Sequence, residues 1–123
     1  MGKLVNSKKA QFGRLDLQRD KLIDYLLSDC SLIQGSYTEL LVKCGKAGCH
    51  CEGKPAHPVA RLGTRRNNKA QNQVVRVFDR ERIRSLVEVY RGHKTALTDL
   101  KDIHKKQEKI VKSIISDKDE PYS

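Results

Sequence analysis

Between residues 79 and 116 the chain contains no proline and a single glycine, Gly92. Such a run reads as one helix with Asp79 as its N-cap, and at 1.5 Å per residue it extends for ~55 Å. A helix of that length outruns what a small domain can cover, so part of it must project or pair. Ile83, Leu86, Tyr90, His93, Leu97, Leu100, His104, Gln107, Val111 and Ile114 follow alternating spacings of three and four, a heptad seam with polar interruptions at His93, His104 and Gln107. Gly92 marks a kink or a split and costs ~1 kcal/mol relative to alanine. Two pairings satisfy the seam. In one, the first half of the helix covers a sheet and the second half packs antiparallel on an N-terminal helix. In the other, 79–116 forms a homodimer or docks a larger protein partner. His93 and His104 read as polar seam residues rather than metal ligands, and Lys101, Asp102, Lys105, Glu108 and Lys109 as a solvated face.

Upstream, residues 1–8 read as a loose basic terminus. Residues 9–31 read as an amphipathic helix with Leu15, Leu22, Ile23, Leu26 and Leu27 at helical spacings. The period changes after Gly35. Residues 37–44 alternate as a strand whose apolar face is Leu40 and Val42, residues 58–62 form a second strand, and residues 73–78 a third with Val75 and Val77 on one face. Residues 63–72, rich in Gly, Asn and Arg, read as the intervening turn region. The expectation is an α+β fold: N-terminal helix, small three-stranded antiparallel sheet carrying a Cys/His zinc knuckle, and long C-terminal helix. Residues 1–78 hold the helix and knuckle sheet, and 79–123 the long helix as packing or dimerisation arm, within one structural domain overall.

The knuckle is the stretch K-C-G-K-A-G-C-H-C-E-G-K-P-A-H at 43–57. Cys44, Cys49 and Cys51 stand at C-x4-C-x-C spacing, and His57 follows six positions later. Three thiolates and an imidazole make a closed tetrahedral site of the structural zinc type, and Gly45 and Gly48 suit a chain turning around an ion. If 49–51 is extended, His50 projects away from its neighbouring cysteines and is not a ligand. Competing readings are buried thiols, a disulfide framework, which needs an oxidising compartment, and an iron–sulfur cluster, which needs a fourth thiolate. Cys30 is the reserve fourth ligand should His57 not serve.

Charge then selects the partner. Lys and Arg number 25 against 15 Asp and Glu, a formal +10, which favours polyanions. From residue 43 to 69 there are seven basic residues and one acid, Glu52, so this segment carries +6 of the excess. Lys43, Lys46 and Lys54 flank or occupy the knuckle, Arg61 lies on the second strand, and Arg65, Arg66 and Lys69 lie in the hairpin loop G-T-R-R-N-N-K-A. Arginine forks match phosphates and guanine edges, and asparagine can pair with adenine. With only 5% aromatic residues, base stacking on single strands is disfavoured. Duplex DNA is therefore the first expected partner and RNA the second, with the chain acting as an accessory subunit of a larger nucleoprotein machine. The alternative is an interaction adaptor working through the long helix.

An enzyme is disfavoured, because the chain has no phosphate-binding glycine loop, no HExxH and no C-x-x-C redox pair. Glu52 beside Cys51 reads as an ordinary surface charge rather than the base of a catalytic zinc. No signal peptide, membrane span or myristoylation pattern is visible, and the cytoplasm is the expected location.

The residues G-S-Y at 35–37, C-G-K at 44–46, C-H-C at 49–51 and the His57-Pro58 pair resemble an uncharacterised group of small prokaryotic proteins. Its pattern is a helix, G-S, C-G-K-x-x-C-x-C, a spacer, an H-G-P-like step, two strands and a helical segment with a tyrosine. The likeness covers roughly residues 15 to 100. It implies that Cys44, Cys49, Cys51 and His57 are the shared positions and that Cys30 is not. This chain lacks the glycine between His57 and Pro58, and the resemblance brings no established activity.

Overall fold

A computed structural model describes residues 2–43, 54 and 57–122, with only the backbone described for 2–5. The elements are α1 (Gly2–Leu26), β1 (Gly35–Val42), β2 (His57–Arg66), β3 (Lys69–Val75), a 3-10 turn (Val77–Asp79) and α2 (Arg80–Lys118). The three strands form one antiparallel sheet in the order β1-β2-β3. The architecture is α+β, with a helix before the sheet and a long helix after it.

By contacts the chain forms two compact units, residues 30–92 and residues 1–29 with 93–123. The boundary read from the sequence at 78/79 falls within the 3-10 turn that precedes α2, whereas the division between units falls within α2, after Gly92.

In the unit of residues 30–92, period-two alternation decides what is buried. Ala60, Leu62 and Val75 point to one face of the sheet, where Val87, 1% exposed, closes the core from α2. Ile33, Tyr37 and Ile83 pack around this cluster. The Ile33 amide donates to the Leu86 carbonyl at 3.2 Å, which fastens the segment after α1 to α2. Arg80 donates from Nη2 to the Pro58 carbonyl at 3.3 Å, joining the first turn of α2 to the start of β2. On β1 the residue that meets the core is Tyr37, not the expected Leu40 and Val42, which lie on the opposite face. The third strand ends at Val75. Val77 is 69% exposed in the 3-10 turn rather than beside Val75 on a strand.

In the other unit, α1 and the second half of α2 pair antiparallel: the Lys8 ammonium meets the Asp117 carboxylate, and the Tyr25 and His93 rings stand 4.6 Å apart. Helix α1 begins at Gly2, so residues 2–8 are helical rather than loose. On α2 the inward positions are Ala96, Leu100, Ile103, Gln107, Ile110, Ile114 and Asp117, a three-four alternation that coincides with the expected seam at Leu100, Gln107 and Ile114. The expected Leu97, His104 and Val111 stand one residue further round and are exposed, Leu97 at 47% and Val111 at 43%. Gln107 is buried, and its Nε2 donates to the Phe12 carbonyl and to Asp16 Oδ1, both at 3.4 Å.

Candidate nucleic-acid interface

The β2–β3 hairpin is longer and tighter than the sequence suggests. Its strands run up to Arg66 and restart at Lys69, leaving Asn67 and Asn68 as a two-residue turn with φ of 52° and 62°. Two successive left-handed residues make a type I′ turn, whose twist matches that of the strands, and asparagine tolerates this region better than other side chains with a Cβ. The turn sets the register, and register assigns each cation to a face. Arg66 pairs with Lys69 on the side of Leu62 and Ala60, whereas Arg65 and Arg61 lie on the opposite side, across from Ala70 and Val74. The expected loop cations Arg65, Arg66 and Lys69 are therefore strand residues and, with Arg61, form two basic pairs on the two faces of the hairpin.

All four of these side chains are exposed, and among the described residues none forms an ion pair. Three other arginines of the same unit are in ion pairs: Arg82 with Asp79 at 4.0 Å, Arg84 with Glu39 at 3.9 Å and Arg91 with Glu88 at 3.3 Å. Like charges placed directly opposite on a sheet repel, so the Arg66–Lys69 pair is a local cost that a bound anion relieves. The unit carries twelve Lys and Arg against five Asp and Glu, +7 of the +10.

Glu39 is the one acid on the three strands, and it is turned to the α2 side opposite Ala60. There it accepts a 2.6 Å hydrogen bond from the Tyr37 hydroxyl, which raises the phenol above its ordinary 10.0 because the neutral form is the donor. The other face contains Ser36, Thr38, Leu40, Val42, His57, Val59, Arg61, Gly63, Arg65, Ala70, Asn72 and Val74, with no acid and no Phe, Tyr or Trp. Sequence reasoning passed over Ser36, Gly63 and Asn72, which share one cross-strand row on this face. The signal for them is the glycine inside a strand, which marks a close approach.

Of the remaining site residues, Lys43 and Lys54 are exposed, and His57 is half-buried at the first position of β2. Cys44, Lys46, Cys49 and Cys51 lie outside the described residues. Among the described residues no group of three His, Cys, Asp or Glu stands together to hold a metal ion, and Cys30 is exposed. Val42 and His57 are directly paired, so the two ends of the connection from β1 to β2 are neighbours. Among the described residues no helix is long and apolar enough to cross a membrane. Compared with models of protein families, with curated proteins and with solved structures, the chain has no match.

Proposed function

We propose that this chain binds nucleic acid, duplex DNA ahead of RNA, through the β2–β3 hairpin, as an accessory subunit of a larger nucleoprotein assembly and without catalysis of its own. The observation that carries the reading is the set of exposed Arg61, Arg65, Arg66 and Lys69, without an ion pair among the described residues, on a hairpin closed by a type I′ turn. A rigid element loses little conformational entropy when it meets a phosphate backbone, and its width suits a major groove, which admits a two-stranded ribbon. The lack of Phe, Tyr or Trp on the acid-free face favours duplex over single strands.

A structural zinc ion bound by Cys44, Cys49, Cys51 and His57 belongs to the same proposal. The Val42–His57 pairing supports it, since a connection whose ends are held together needs little further closure to surround an ion. The ion's chemistry would be to hold the neck of the sheet, leaving Lys43, Lys46 and Lys54 on the phosphate side.

The test is fluorescence anisotropy with random duplex DNA over a range of salt. Each phosphate contact contributes about 0.9 to the slope of log K against log salt. Changing Arg65, Arg66 and Lys69 together to Ala is expected to lower the slope by about 2 to 3; an unchanged affinity and slope overturns the assignment. Native mass spectrometry with and without a chelator tests the zinc, expected at one ion per chain.

A second reading, an adaptor working through α2 as a homodimer or with a protein partner, is favoured by the exposed apolar side chains Leu97, Val111 and Ile115 on that helix, the last 60% exposed. Its test is sedimentation of the wild type against a Leu97→Lys, Val111→Lys variant.

A further inference from the structure

Gly63 sits at the centre of the acid-free sheet face, on the middle strand, with Ser36 beside it on β1 and Asn72 beside it on β3. A Cβ at this position would lie 3.1 Å from Ser36 Oγ and 3.3 Å from Asn72 Oδ1. Glycine therefore leaves a notch whose two walls are a hydroxyl and a carboxamide. Both groups are exposed and able to donate a hydrogen bond, the serine through its O–H and the amide, whose Oδ1 is the nearer atom in the empty notch, through its NH2 after a half-turn about its terminal torsion. Along β2 the notch is bracketed by Arg61 and Arg65, each two residues away on the same face. Their Cα atoms are ~13 Å apart at 3.3 Å per strand residue, so both long side chains can close on an anion seated over Gly63. Among the described residues of the three strands no carboxylate shares the face.

From this arrangement we infer that the Ser36–Gly63–Asn72 row is a seat for one phosphodiester of the nucleic-acid backbone, clamped between Arg61 and Arg65. The inference rests on the nucleic-acid reading above and deepens it. The hairpin does not meet its ligand only at the tip. One phosphate sits on the open face, where the missing side chain of Gly63 lets it approach the sheet and the neutral donors fix its position. The Arg66–Lys69 pair, on the other face, serves a different phosphate. Positioning by neutral donors and neutralisation by guanidinium forks are the two recurring modes of backbone contact.

The test compares Gly63→Ala, Asn72→Asp and Ser36→Ala with the wild type in duplex DNA binding, with circular dichroism as the check on folding. Gly63→Ala, which fills the notch, and Asn72→Asp, which is isosteric and places a carboxylate on the phosphate, are each expected to weaken binding about tenfold or more, and Ser36→Ala less. Should Gly63→Ala fail to fold, Asn72→Asp decides. If the triple hairpin variant loses binding while Gly63→Ala and Asn72→Asp bind like wild type, the seat is refuted and the hairpin reading stands. If wild type binds no nucleic acid, that reading falls. Inorganic pyrophosphate then decides the seat, expected to shift the Gly63 backbone and Asn72 side-chain amide resonances; unmoved resonances overturn it.

Discussion

Replacing Gln107 by Leu is expected to stabilise the helix pair, against the usual direction for a core substitution. Gln107 is 6% exposed, and its two hydrogen bonds, to the Phe12 carbonyl and to Asp16 Oδ1, are both 3.4 Å long. At that length each lies near the low end of the ~0.5–1.5 kcal/mol that a net hydrogen bond contributes. Neither acceptor is stranded by the change. The Phe12 carbonyl lies inside α1, where the amide four residues on is its regular helical donor. Asp16 keeps its 3.5 Å contact with Arg19 and is partly solvated. Leu fills a similar volume and contributes about 2 kcal/mol of side-chain burial, so the expected net gain is about 1 kcal/mol. Amide exchange along α1, which reads this unit directly, should slow by about fivefold for that gain. Gln107→Ala, which opens a void, should instead lose about 2 kcal/mol. A Leu variant destabilised by ~1 kcal/mol or more would refute the argument and show that the two long bonds carry the pair.

The remaining predictions concern the sheet. Val87→Ala truncates the largest fully buried side chain among the described residues and should cost about 2 kcal/mol in urea unfolding. Asn67→Ala and Asn68→Ala each place a less tolerant side chain at positive φ and should each cost about 1 kcal/mol, whereas Asn68→Gly should be neutral or better. Glu39→Gln should bring the Tyr37 phenol back toward 10.0, read as the phenolate absorbance lost in Tyr37→Phe. Because the folded value is raised, any stability from that hydrogen bond is present below the unfolded value and is lost as pH rises through the folded one.

The element order was legible because the periods differ cleanly, two between β1 and β3 and nearly four on either side. The extent of the hairpin was not. Gly63, Thr64 and Ala70 look like loop residues, yet they are paired strand residues, because a two-asparagine turn needs only two residues and Gly63 is tolerated by its small and polar neighbours. Gly35 is tighter still, since a Cβ there would come within 2.6 Å of the Gly63 carbonyl oxygen. The helical seam slipped by one position because it was anchored on Leu97, which outweighs Ala96 in hydrophobicity, and continuing by threes and fours from there took His104 and Val111 in place of Ile103 and Ile110. What selects the buried stripe is the partner: packing on α1 takes Ala96, Ile103 and Ile110 and leaves Leu97, His104 and Val111 outside. The expected basic loop had the right residues without their faces, since one residue of register moves a side chain to the other side of a sheet.

The helix pair joins distant parts of the sequence: Lys8 meets Asp117 and Phe12 meets Gln107, whereas the sheet unit is a continuous stretch from residue 30 to 92. During synthesis, α1 leaves the ribosome long before its mate exists, while the hairpin can close as soon as β3 appears. The nascent protein thus passes through a stage with a finished sheet and a lone amphipathic helix whose Phe12, Leu15 and Leu22 have nothing of their own to rest on. Assembly of that helix waits on translation, and holding chaperones have that interval in which to act.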